Sequence, residues 1–251
     1  MNLCRRPRLL AAVTFSLGFA ACGRVPGQFE ILNDQVPTSS EGSCNVPVDP
    51  TTYRGEGMLD LSIVQPAFGS AYFFFPLIEN NLPSSSNGSL DPNEIQLSGF
   101  QVDIKWIDAP PPDSIQKVFT DNAGTALVHY QLPWSGGIGS GGGHLSASVG
   151  AFPLGLAQAL VAAGGIGAEP SLTVQLQIQA LGTTNSGTGM ESDPFKFPVH
   201  VCSGCLVASV APCASTGVAN PGTGCNPAQD VPVDCCTDNG ALICPPTVAT
   251  Q

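Results

Sequence analysis

Seven cysteines are crowded between residues 202 and 251, in the spacing C-x2-C-x7-C-x11-C-x9-CC-x7-C. Pro, Gly, Asn and Asp fill most of the gaps, so large apolar side chains are few there. About fifty such residues bury too little to fold on a core of their own, and crosslinks must replace burial. Cys202, Cys205, Cys213, Cys225, Cys235, Cys236 and Cys244 form the group, and Cys44 makes it eight. An even set is expected to form up to four disulfides in an oxidising compartment. The adjacent Cys235 and Cys236 are expected to reach different partners. Spacing alone selects no connectivity, but one bridge has a physical motive. Cys44 precedes the first expected strand and Cys202/Cys205 end the last, so joining Cys44 to one of that pair would clamp the domain. A zinc ribbon would need a second knuckle, which Cys235-Cys236 does not offer. A thioredoxin-like C-x-x-C opens a helix, whereas Cys202-Ser203-Gly204-Cys205 ends a strand. The segment is read as disulfide-stapled, with no metal and no cofactor assigned.

At the other end, Met1 to Arg8 is a short basic region, and Leu9 to Ala21 is apolar apart from Thr14 and Ser16. Thirteen residues are too few to cross a bilayer as a helix, which takes about 20. This is the layout of a secretory signal peptide. It closes on Phe19-Ala20-Ala21-Cys22, which resembles the lipobox of bacterial lipoproteins, with Phe19 where Leu is usual. The resemblance covers residues 1 to 22. It implies diacylglycerol on the Cys22 sulfur, cleavage just before that residue and acylation of the new amino group. It also implies sorting by the next residue; Gly23, in place of the Asp that retains such proteins at the inner membrane, points to the outer membrane. Each buried CH₂ of an acyl chain contributes about 0.8 kcal/mol, so two chains anchor firmly. The alternative is an ordinary signal peptide with Cys22 in a disulfide. Parity favours the lipid, because Cys22 then leaves an even eight.

Between the two ends the chain reads as four stretches: a signal peptide over 1–21, a lipidated tether over 22–43, a β domain over 44–201 and the cysteine-rich tail over 202–251. The tether contains Pro26, Gly27, Pro37 and Gly42, and some 21 flexible residues would span about 25 Å. From residue 55 the hydrophobic period becomes two. Leu59, Leu61 and Ile63 form one run; Phe73, Phe75 and Leu77 form another, with Pro76 marking it as an edge strand. Residues 95–107 alternate but slip phase at Ser98-Gly99, as a β-bulge at Gly99 would require. Ala126–Tyr130 and Leu145–Val149 follow as strands. Leu172, Val174, Leu176, Ile178 and Ala180 alternate with Thr173 and three glutamines, and Phe195–Val201 closes the set. One helix is expected over Pro153–Ala163, opened by Pro153 and ended by Gly164-Gly165. The fold class is therefore all-β, an immunoglobulin-like or fibronectin-like β-sandwich with one short helix and a disulfide-rich tail.

Charge narrows the function. The net charge is −11, and removal of Arg5, Arg6 and Arg8 leaves 8 − 3 = 5 basic against 19 acidic side chains, or −14. Such a surface repels phosphate backbones, so no nucleic-acid partner is expected. Nor does it attract anionic headgroups, so the membrane is reached only through the N-terminal lipid. Gly137–Gly142 formally matches G-x-G-x-x-G, but it lacks the flanking strand and helix and reads as a loop running from Trp134 to Gly143. Trp134 at its edge is the one candidate ligand-binding aromatic, with rim packing as the commoner role. His129, His144 and His200 lie on or beside strands and read as satisfied imidazoles. Asp230, Asp234 and Asp238 miss the calcium-loop pattern, and no catalytic residue is assigned. The expected role is non-enzymatic surface binding in the cell envelope, on the periplasmic or surface face, with an envelope protein or polysaccharide as partner. The alternatives are a hydrolase acting on extracellular polymer and an assembly subunit held by a strand edge near Pro76 or Pro198.

Overall fold

The computed structural model describes residues 27–40, 43–64, 69–85, 90–107, 111–123, 125, 128–169, 172–213, 225 and 228–244. The signal peptide and Cys22 lie outside them. In chain order the strands begin with β1 (Phe29–Gln35), β2 (Thr38–Ser40), β3 (Ser43–Asn45), β4 (Tyr53–Arg54) and β5 (Gly57–Asp60). After a 3₁₀ turn at Leu61–Ile63 come β6 (Ser70–Phe74), β7 (Pro76–Asn80), β8 (Ile95–Trp106) and helix α1 (Asp113–Asp121). Then follow β9 (His129–Ile138), β10 (Gly143–Ser146), β11 (Val149–Pro153) and helix α2 (Leu154–Ala163). The chain continues through β12 (Leu172–Thr184), β13 (Gly189–Glu191), β14 (Phe195–Cys202), β15 (Val207–Pro212), β16 (Val233–Asp238) and β17 (Ala241–Ile243).

The long alternating runs build the main sheet, ordered β5-β14-β12-β8-β9, with β13 paired to β12. All neighbours are antiparallel except β5 and β14, which run parallel from Val199↔Gly57 to Cys202↔Asp60. Leu172, Val174, Leu176, Ile178 and Ala180 are all buried, as are Phe197, Val199 and Val201, so one face of this sheet is core, as their spacing predicts. The β6–β11 ribbon lies over that face. Phe74 meets Phe197 edge-on at 5.2 Å, Tyr72 lies 6.4 Å from Phe197, and the Tyr130 hydroxyl donates to the Gly150 carbonyl at 3.1 Å. A second sheet, β10-β7-β1-β4, continues the enclosure. Among the described residues the fold is thus mostly β, with two helices and disulfides in the C-terminal region.

Several local expectations hold. Helix α2 follows Pro153, and Gly164 ends it at φ 68°, a conformation that suits glycine. Register slips at Gly99 on both sides of β8. A Cβ at Gly99 would run into the Leu132 carbonyl oxygen, so the strands approach too closely there for any side chain.

Others are corrected. The expected tether over 22–43 contains β1, which pairs with β7 and β4 and buries Phe29, Ile31, Asn33, Asp34 and Gln35. The alternation of Phe29 with Ile31 is too short to stand out beside the polar residues that follow. The Leu59–Ile63 strand stops at Asp60, whose carboxylate accepts the Ser62 N–H at 2.9 Å and curls the chain. In the aromatic run the inward side chains are Tyr72 and Phe74, and Phe75 is also buried as the chain changes sheets at Pro76. Pro76 is not on an edge: it is the first residue of β7, which lies between β1 and β10. Pro198 is also interior, opposite Gln175, one residue before pairing with β5 begins. The Leu145–Val149 run divides between β10 and β11, in different sheets. The glycine-rich loop is half strand: β9 runs on to Ile138, and Gly141 and Gly142, both at positive φ, turn the chain into β10. A second helix, α1, buries Ile115 and Phe119. Beyond these points, Gln229 of the tail bridges to Leu59, and β15–β17 form a small sheet of their own.

Candidate functional site

The eight cysteines pair as Cys44–Cys225, Cys202–Cys205, Cys213–Cys236 and Cys235–Cys244. Cys235 and Cys236 take different partners, as adjacency predicts. The expected clamp from Cys44 to Cys202 or Cys205 is not formed. Cys44 lies on the β2–β3 hairpin and reaches Cys225 with Cα atoms 5.2 Å apart. Cys202 and Cys205 join each other because the intervening loop is curled onto Asp60. That carboxylate is fully buried and accepts the Gly204 N–H at 2.7 Å and the Leu206 N–H at 2.8 Å. Carboxylate and sulfur atoms of Asp60, Cys202 and Cys205 lie within 4.8 Å of one another. The sulfurs are bonded together and the carboxylate is committed to N–H and hydroxyl donors, so this is not an assembled metal site.

A second buried cluster ties the tail to the domain. Arg54 donates to Asp34 at 3.1 Å and, on its other side, to Asp230. Asp34 also accepts the Phe75 N–H at 2.7 Å, while Asp230 accepts the Met58 N–H at 2.9 Å and the Tyr72 hydroxyl at 3.1 Å. Gln229 closes the set with both Phe73 backbone groups, at 2.8 and 3.0 Å. Burial pushes the Asp34 carboxyl up to about 7, against the pull of Arg54. Burial raises Asp230 as well, and holds the Tyr72 phenol well above its ordinary value. Two carboxyls with raised pKa often mark an acid–base site. Here Asp34 is wholly enclosed and Asp230 nearly so, so the cluster works as a polar tie, not as an open catalytic pair.

The open site is at the end of the main sheet. Where β9 begins at His129, opposite Asp103, β8 continues for three more residues, and α1 packs across the gap. Trp106 meets Phe119 of α1 edge-on at 5.4 Å. These two rings, with Asp103, Lys105, His129 and Gln177, line a cavity of about 500 Å³. Asp103 and the His129 imidazole are hydrogen-bonded, each close to half exposed. The polar side of this groove merges into the outer face of the sheet. Strand register lays that face out in rows: Gln131–Gln101–Gln179, then His129–Asp103–Gln177–Lys196, then Lys105–Gln175–Pro198. Carboxamides both donate and accept, so the glutamines of this face offer hydrogen bonds of either sense beside the charges of Asp103, Lys105 and Lys196.

The sequence candidates distribute as follows. Trp134 is half-buried and packs edge-on against Phe100 at 6.3 Å, on the rim and away from the groove. His144 and His200 each meet a carboxylate, Glu79 and Glu56, at 3.2 Å. The groove aromatics were not legible as a site. Trp106 reads as the end of a strand, and Phe119 belongs to a helix whose apolar spacing covers only two turns. The chain matches no protein-family model and no curated protein.

Proposed function

We propose that this chain is an envelope lipoprotein, lipidated at Cys22 and held at the outer membrane, with a non-enzymatic binding role. One observation carries the anchor. The eight cysteines beyond Cys22 are satisfied by one another in four bridges, so none of them requires Cys22 as a partner. The bridges also favour an oxidising compartment. We read the stacked β layers as a sandwich of the immunoglobulin-like or fibronectin-like kind, a reading that the packing of β6 on β14 supports.

Binding is assigned to the Trp106 groove and the amide-rich face beside it, with an envelope polysaccharide or protein as partner. An aromatic wall with a few polar groups at its mouth suits ligand capture. Replacement of Cys22 by Ser should release the protein from the membrane fraction. In detergent-extracted protein, Trp106→Ala should abolish retention on isolated envelope polysaccharide while Trp134→Ala leaves it intact. Retention unaffected by Trp106→Ala would remove the groove from the binding role. The hydrolase alternative draws on the Asp103–His129 pair, and turnover of such a polymer that His129→Ala abolished would establish it instead.

A further inference from the structure

The Cys202–Cys205 bridge differs in kind from the other three. It closes a separation of three residues, where the others close 9, 23 and 181. Its loop has other supports. Asp60 holds Gly204 and Leu206, and the Ser203 N–H donates to the Gly167 carbonyl at 2.8 Å. The disulfide is therefore not what shapes the loop. The two sulfurs are also unequal. Cys202 is fully buried and Cys205 is partly exposed. On the buried side, the Leu59 carbonyl lies 3.5 Å from the Cys202 sulfur, placed to accept a thiol proton, and the Asp60 carboxylate is within 4.8 Å.

From this geometry we propose that Cys202 and Cys205 are a reversible dithiol–disulfide pair that exchanges electrons with protein disulfides outside the cytoplasm. Cys205 is the attacking sulfur and Cys202 the resolving one. In the reduced pair, the Cys205 thiolate attacks a sulfur of the client disulfide. The client S–S bond breaks, a Cys205–client bond forms, and the released client sulfur takes a proton from water. The Cys202 thiol then gives up its proton to water and attacks the Cys205 sulfur. This closes the bridge seen in the structure, and the second client sulfur leaves as a thiolate that is protonated in turn. Two electrons move to the client for one disulfide formed here. A dithiol protein of the same compartment returns them by the reverse exchange. Asp60 acts as a positioning residue, holding Gly204 and Leu206 so that Cys202 and Cys205 face each other.

The test uses the full chain equilibrated over a series of reduced-to-oxidised glutathione ratios, quenched with a maleimide and mapped by peptide mass spectrometry. Cys202 and Cys205 should open at a ratio at least tenfold lower than any other pair. In Cys202→Ser, Cys205 should be captured as a glutathione mixed disulfide without unfolding. In Cys205→Ser, Cys202 should stay unlabelled until the chain unfolds. Asp60→Asn, which loosens the loop, should slow closure of the bridge at least tenfold and move its opening to a still lower ratio. If that variant fails to fold, the two cysteine variants and the titration still decide. Opening of Cys202–Cys205 together with or after the other bridges, or labelling of Cys202 ahead of Cys205, would overturn the proposal.

Discussion

Arg54 and Asp230, 176 residues apart, form an ion pair beneath the surface, with Asp34 on the other side of the same guanidinium. This joins β1 to the segment that leads into β16 of the C-terminal sheet. Asp230 adopts φ 67°, in the left-handed region, a conformation that costs about 1–3 kcal/mol for a non-glycine residue and persists where its surroundings fix it. Its carboxylate contacts with Arg54, Met58 and Tyr72 are what fix it.

Removing the shared cation should therefore be severe. Arg54→Met leaves two enclosed carboxylates facing each other, and breaking a buried pair this way costs about 3–5 kcal/mol. Urea unfolding of the full chain should register that loss. A loss below about 1 kcal/mol would mean that the cluster is not a principal tie between tail and domain.

The same cluster sets a pH dependence. The Asp34 carboxyl, ordinarily near 3.8, is pushed up to about 7 in the fold, so the folded state holds a proton that the unfolded chain has already lost. Its contribution is fully present below about pH 4 and disappears as pH rises through about 7. Asp230 is raised in the same direction. Melting temperature should fall between about pH 4 and 8, and Asp34→Asn should flatten that slope. An equal slope in the variant would show that charge elsewhere sets the trend.

What could be read in advance follows from how far each signal reaches along the chain. β8, β12 and β14 were legible because their alternation persists over many residues with one face apolar throughout. Helix α2 was legible from Pro153 and Gly164 at its ends, and the bulge from the phase slip at Gly99. Strand β1 was not, because Asn33, Asp34 and Gln35 are polar residues made buriable only by distant partners such as Arg54. Helix α1 shows its amphipathic spacing for too few turns after Pro112. The groove needs Trp106 and Phe119 brought together from different elements, and no local pattern encodes that. The partner of Cys44 depends in the same way on where the loop before Gln229 returns.

The bridges should also rank by loop length. In the chain-entropy account, loss of Cys44–Cys225, with a separation of 181, costs about 5 kcal/mol, and loss of a bridge closing three residues costs about 2 kcal/mol. Paired serine substitutions at Cys44 and Cys225 should lower the melting temperature far more than those at Cys202 and Cys205. The opposite ranking would show that the short bridge is the structural one and the long bridge is not.

Lipid anchoring with oxidation of the domain is tested most directly by the intact mass and N-terminal peptide of the mature protein taken from the membrane fraction. The chain should begin at Cys22, carry acyl mass on that residue, and have Cys44, Cys213, Cys225, Cys235, Cys236 and Cys244 oxidised. A first residue other than Cys22, an unacylated N-terminus, or free thiols at positions other than Cys202 and Cys205 would contradict it.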